Sequence, residues 1–189
     1  MALAHAVSVA GHPAIFMPLA AGLSAVVAGA PEDLTRTVLT VAGGAAAAVM
    51  LYSFVQVRRG KWADTDASVP EERSELNLFL APLLTAGAVW AWWSAQAPEI
   101  ALGLGLSAVI IATSLVMSRW VKLSLHTAFA VFGAGLFWPE ILIVAAGAGM
   151  AGLIAWSRLY LRRHTLADVN MGAGAGALAA AAFHILPAV

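Results

Sequence analysis

Cysteine is absent from this chain, which excludes disulfides, thiolate nucleophiles and cysteine-ligated zinc or iron–sulfur centres. Charge is scarce: only 11% of the 189 residues are Asp, Glu, Lys or Arg, and they sum to zero. With no polybasic arm and no acidic tail, nothing in the charge pattern points to nucleic acid or to an anionic partner. The start, MALAHAVSVAGHP, lacks a basic n-region, and no small-residue cleavage site stands out after it. The first helix is therefore expected to stay rather than leave as a signal peptide. No alternating strand pattern runs through the chain, which argues against a membrane barrel.

What is abundant is apolar. Hydrophobic residues make up 61% of the chain, and the mean hydropathy is +0.86. So little polar surface cannot coat a water-soluble globule, and lipid is expected to cover much of the protein. A helix rising ~1.5 Å per residue needs about 20 apolar residues to cross a ~30 Å hydrocarbon core. Runs of roughly that length lie near residues 10–30, 37–57, 77–97, 100–118, 121–138, 140–157 and 165–186. Backbone groups in hydrocarbon must bond within their own segment, so the predicted fold is all-α: six to seven transmembrane helices in one domain over residues 1–189. Pro13 and Pro18 make the first span a candidate for a shorter or tilted segment.

The breaks between spans are unequal. Those near 31–36, 98–99 and 139 are short and hold Glu32, Asp33, Arg36, Glu99 and Glu140. The others, 58–76, 119–126 and 157–168, hold nine of the ten basic residues. The positive-inside rule explains part of this bias, and by it the basic face is cytoplasmic. Orientation alone does not require histidine and aspartate among the arginines. Two of the three basic loops place a histidine where an apolar helix begins, and that points to a site.

The third loop reads SRLYLRRHTLAD: Ser157 and Arg158, five residues, His164, three residues, Asp168. If a helix starts near His164, then His164 and Asp168 stand at i and i+4 on one face. The carboxylate can then accept from one imidazole nitrogen and leave the other free to attack phosphorus, splitting a hard hydrolysis into two displacements. Arg158 can bind phosphoryl oxygens in bidentate fashion. A structural alternative has Thr165 capping the last helix, Asp168 stabilising its first turn, and Arg162 and Arg163 snorkelling to the interface. For Arg162 and Arg163 that alternative is preferred; for Arg158, His164 and Asp168 a functional role is preferred, because ionisable residues at membrane depth are functional by default.

This string resembles the third signature, S-R-x5-H-x3-D, of the type 2 phosphatidic acid phosphatase superfamily, with every fixed position met. The second signature, P-S-G-H, is matched at Ser124 and His126 but not at Leu123 and Leu125; Lys122 in the K-x-S-x-H string is expected to add positive charge. The first, K-x6-R-P, is poorest: Arg73 is the candidate arginine, followed by Ser74, and Lys61 lies too far upstream for the strict spacing. The resemblance covers roughly residues 58–176. It implies His164 as nucleophile, Asp168 as its orienting partner and His126 as the acid for the leaving alcohol. It also implies that Arg158, Ser124, Lys122, Arg73 and Lys61 hold phosphate, without metal or cofactor.

Asp64 and Asp66 have no place in that pattern. They can pair with the basic cluster, cap the third span with Ser74 or Glu75, or ligate a cation as D-x-D motifs do; a second acidic motif is lacking, so no metal is expected. His126 taken alone is more readily a helix-interface residue bonded to a backbone carbonyl than an acid, and the in-register match of the third loop shifts that balance. Gly172, Gly174 and Gly176 are expected to let the last helix pack closely, and Trp62, Trp90, Trp92, Trp93, Trp120 and Trp138 to anchor at the interface.

The function expected is a membrane phosphatase of a lipid phosphate or prenyl diphosphate acting through phosphohistidine, with a lipid substrate and the bilayer as partners and the cell membrane as its place. Two rivals are a phosphotransferase using the same histidine and a non-catalytic lipid-binding or transport protein. Which face the site occupies is left open.

Overall fold

The computed structural model describes residues 1–67, 69–94 and 98–186. It is all-helical there: α1 (Ala2–Ala10), α2 (Pro13–Val27), α3 (Glu32–Arg58), α4 (Pro70–Trp93), α5 (Pro98–Met117), α6 (Leu125–Gly135), α7 (Ile141–Tyr160) and α8 (Leu166–Ile185). Five of these, α3, α4, α5, α7 and α8, are long and apolar enough to cross a membrane, and the bent pair α1–α2 makes a sixth candidate. The protein is a multi-pass helical membrane protein. Large side chains point outward accordingly, with Leu142, Leu178 and Ile185 exposed where lipid tails would lie.

Two predicted spans are redrawn. The first is two helices that meet at a 53° bend. Pro13 starts α2 as its first residue, where the missing N–H costs nothing, and His12 caps it by accepting the Ala14 N–H on Nδ1 at 3.2 Å. The fifth, expected over 121–138, forms only Leu125–Gly135, 11 residues, too short to span. Ser124 and His126 therefore sit at the start of a short helix rather than inside an ~18-residue one.

That short helix is the centre of the bundle: His126, Ala128, Phe129, Phe132 and Ala134 on α6 are all buried. Lipid offers no hydrophobic drive for helices to associate, so close approach of backbones must supply the contact. Glycines of α8 provide it. A Cβ at Gly172 would lie 2.5 Å from the Ser124 carbonyl oxygen, and one at Gly176 would strike the Ala128 carbonyl. Gly174, expected to share this task, faces open space. The pinned segment is the one carrying Ser124 and His126, so these glycines set the distance between two of the predicted motifs.

The α3–α4 connection is tied down by acids of α4. Glu75 accepts from Tyr52 Oη (3.0 Å), Gln56 Nε2 (2.7 Å) and Trp62 Nε1 (3.0 Å), and Glu72 accepts the Ala63 N–H at 2.7 Å. Trp62 is thus a buried strut rather than an interface anchor. Trp90, Trp92, Trp93, Trp120 and Trp138 are exposed, as the interface reading requires. Asp64 Oδ1 accepts the Asp66 N–H at 2.8 Å in a local turn, and Ala67 closes it with a left-handed φ of 47°.

Candidate active site

Four breaks in the helices meet at one end of the bundle: α1–α2, α3–α4, α5–α6 and α7–α8. His12, Asp66, Lys122, His126, Arg158, Arg163 and His164 from these breaks and helix ends line one cavity, together with Arg73 from the first turn of α4. Its volume is about 990 Å³. From this polar end it continues between apolar side chains of α2, α3, α4, α5, α6 and α8, including Val38, Val49, Leu80, Leu104, Phe129 and Phe183, to Glu99, Trp138 and His184. It therefore connects the basic end of the bundle with the opposite one.

His164 stands before α8, not on it. Thr165 is the N-cap, and it forms a reciprocal capping box with Asp168: the Asp168 N–H reaches Thr165 Oγ1 at 3.3 Å and the Thr165 N–H reaches Asp168 Oδ2 at 2.8 Å. The other carboxylate oxygen, Oδ1, accepts the Lys122 N–H at 3.0 Å, and the Asp168 carbonyl accepts the Ser124 N–H at 3.0 Å. One residue thereby staples the second motif to the third. His164 Nδ1 lies 3.1 Å from the Lys122 carbonyl and 3.6 Å from Asp168 Oδ2. Only the first is a hydrogen-bond distance, so the backbone carbonyl, rather than the aspartate predicted from the sequence, fixes the ring. A carbonyl can only accept; Nδ1 must carry the proton, and Nε2 keeps its lone pair.

Burial, with the positive charges of Arg158 and Lys122 added to it, holds the His164 pKa down at about 4. The ring is neutral, and hence nucleophilic, at physiological pH. Burial likewise lowers the Lys122 pKa, helped by Arg73 and Arg158, and its Nζ donates to the Arg163 carbonyl at 3.1 Å.

Arg158, buried on the last turn of α7, donates through Nη1 to Ser8 Oγ of α1 at 2.7 Å, and it meets Asp66 Oδ2 at 3.2 Å from Nη1 and 3.3 Å from Nη2. Its buried Nε–H has no acceptor among the described residues. Arg163 also bonds Asp66 Oδ2, so it is turned into the site rather than snorkelling. His126 Nε2 sits 3.5 Å from Arg158 Nη1 and 3.7 Å from Asp66 Oδ1. His12 stacks edge-on against His126 with ring centroids 5.2 Å apart.

Two residues proposed from the sequence to hold phosphate stand elsewhere. Ser124 is fully buried, capping α6 with its Oγ against Thr127 Oγ1 at 3.0 Å, and does not line the cavity. Lys61 is exposed and does not line it either. In turn, Ser8, His12 and the inward turn of Arg163 were missed, whereas pairing of Asp66 with the basic cluster was one of the options its position offered. A histidine directly before a proline at a helix start was the available signal for His12; Ser8 offers none.

His12, Asp66 and His126 present ligand atoms within 4.8 Å of one another, a spacing a metal ion could use. The chemistry disfavours it. His12 Nδ1 accepts a backbone N–H, so its Nε2 carries the proton and has no lone pair for a cation. Two guanidinium groups already occupy the carboxylate. The donors of Arg158 and Arg163 around Asp66 match the needs of an anion better than those of a cation. Compared with family models, curated proteins and solved structures, the chain matches none.

Proposed function

We propose that this protein is a metal-independent phosphatase of the type 2 phosphatidic acid phosphatase kind, acting on a lipid phosphate or prenyl diphosphate in the cell membrane. The observation that carries the reading is the neutral His164, its tautomer fixed by a backbone carbonyl, lining the same cavity end as Arg73, Arg158, Arg163 and the histidines His12 and His126. Its Nε2 lone pair attacks phosphorus, the P–O bond to the lipid breaks, and His126 delivers a proton to the departing oxygen. Water then attacks the phosphohistidine, giving its proton to His126 as the N–P bond electrons return to His164. Arg158, Arg163 and Arg73 offset charge on the phosphoryl oxygens in both transition states. The apolar cavity leading away from this cluster supports a substrate with a hydrocarbon tail.

The test is phosphate release by the purified, detergent-solubilised chain from phosphatidate, phosphatidylglycerophosphate and prenyl diphosphate in EDTA, with and without an acceptor alcohol. EDTA-resistant release that disappears in His164→Ala supports the reading. Release that needs a metal, or survives His164→Ala, overturns it; transfer to the alcohol in preference to water would make the enzyme a phosphotransferase.

A further inference from the structure

The donors gathered in the site converge on one carboxylate. Asp66 Oδ2 accepts from both Nη atoms of Arg158 and from Arg163, while Oδ1 lies 3.7 Å from His126 Nε2 and 3.9 Å from His12 Nε2. Asp66 arrives from the α3–α4 connection, 92 positions before Arg158, and belongs to none of the motifs that brought the site to notice. It stands where an anionic ligand would collect these donors.

We propose that Asp66 is a tethered competitor for the phosphoryl position, and that it sets specificity: phosphoryl groups presented from the bilayer displace it, whereas soluble phosphates do not. This rests on the phosphate-site reading given above. Three observations support displacement over permanent occupancy. The receptor is larger than its occupant, because two arginines share one carboxylate oxygen and the buried Arg158 Nε–H finds no acceptor among the described residues. A phosphoryl group brings a further oxygen and a further negative charge to satisfy it. The Asp66 side chain is 20% exposed, less sealed than Arg158 at 5%, so it can leave without opening the core. Finally, His12 Nε2–H and His126 Nε2 stand just beyond hydrogen-bond reach of Oδ1, a fit a bulkier tetrahedral anion would close.

Selectivity follows from tethering. A group on a short loop competes at an effective concentration on the order of millimolar or above, which soluble phosphate below that range does not overcome. A lipid phosphate confined to the bilayer beside the cavity is itself locally concentrated and competes on similar terms.

The test is inorganic phosphate binding to the purified full chain in phosphate-free buffer, by calorimetry and by ligand-induced rise in Tm, for wild type, Asp66→Asn and Asp66→Ala. Asn keeps the shape and removes the charge; Ala removes both. The expected result is Kd for phosphate at least ~10-fold lower in both variants. In parallel, kcat/KM for a soluble phosphomonoester is expected to rise relative to that for a lipid phosphate. Unchanged or weaker phosphate binding would make Asp66 a positioning group for the arginines and overturn the proposal, as would loss of the folded chain in both variants. Binding needs no turnover, so the two readings fail separately. Tighter binding in an inactive enzyme removes hydrolysis but leaves the competitor, and an active wild type with no tightening removes the competitor alone.

Discussion

Two of the site's three histidines, His164 and His126, are placed by helix N-termini in opposite ways. His164 lies one residue before the cap of α8, outside the helix, where a single backbone carbonyl holds its Nδ1 and leaves Nε2 available. His126 lies two residues after the cap of α6, buried inside the first turn, beside Arg158 at 3.5 Å, Asp66 at 3.7 Å and the edge-on ring of His12. A backbone acceptor cannot titrate or leave, so the state of His164 is built in. Burial, with the positive charge of Arg158 added, holds the His126 pKa well below its usual value, so the proposed acid role requires the negative charge of a bound phosphoryl group beside the ring.

Breaking the pair should show the division. On the proposed mechanism His164 is the nucleophile, so His164→Ala is expected to lower kcat by at least ~10⁴-fold. His126→Ala is expected to cost about 10²–10⁴-fold with an alkyl ester and far less with a nitrophenyl ester, whose leaving group needs no proton. Equal losses on both substrates would remove His126 from the acid role. Asp168→Asn comes next, at about 10²-fold in kcat with a fall in Tm, since it weakens the capping box and the Lys122 contact together.

The fixed state of His164 gives a pH profile of definite sign. The ring must be neutral to attack, and its pKa is held at about 4. The acid limb of kcat/KM is thus expected to stay flat well below ~6.5, where a free imidazole would already be charging, and to fall only as pH drops through about 4. Lys122→Met removes one of the charges responsible, so it should move that limb to higher pH; no movement would mean that burial and Arg158 set it.

Smaller effects test the scaffold. Gly172→Ala forces a methyl to 2.5 Å from the Ser124 carbonyl, and about 1–3 kcal/mol of destabilisation is expected, with the α6 cap displaced and His126 with it. Thermal denaturation alongside turnover would separate the two. Lys61→Ala, at an exposed position outside the cavity, is expected to change kcat/KM by less than about twofold.

The helices were legible because hydropathy and length are local properties, and so were Arg158, His164 and Asp168, which lie within one turn-containing string of twelve residues. Predicted boundaries failed where a tertiary neighbour decided them. The α1–α2 bend brings Ser8 to Arg158, 150 positions away, and α6, 11 residues long, is buried among other helices instead of forming a span of its own. Ser124 shows the limit of motif reading: it matches in register yet spends its hydroxyl on capping.

The sequence by itself determined an all-α membrane protein with basic residues at one end and a loop that sets Arg158, His164 and Asp168 close together. Its charges are too few and its apolar runs too long for anything else. Only the tertiary structure decided that Asp66 and His12 belong to that site. Their positions follow from how closely α8 packs on α6 and how α4 grips the α3–α4 connection, and such packing depends on the shapes of distant residues, which no local pattern records.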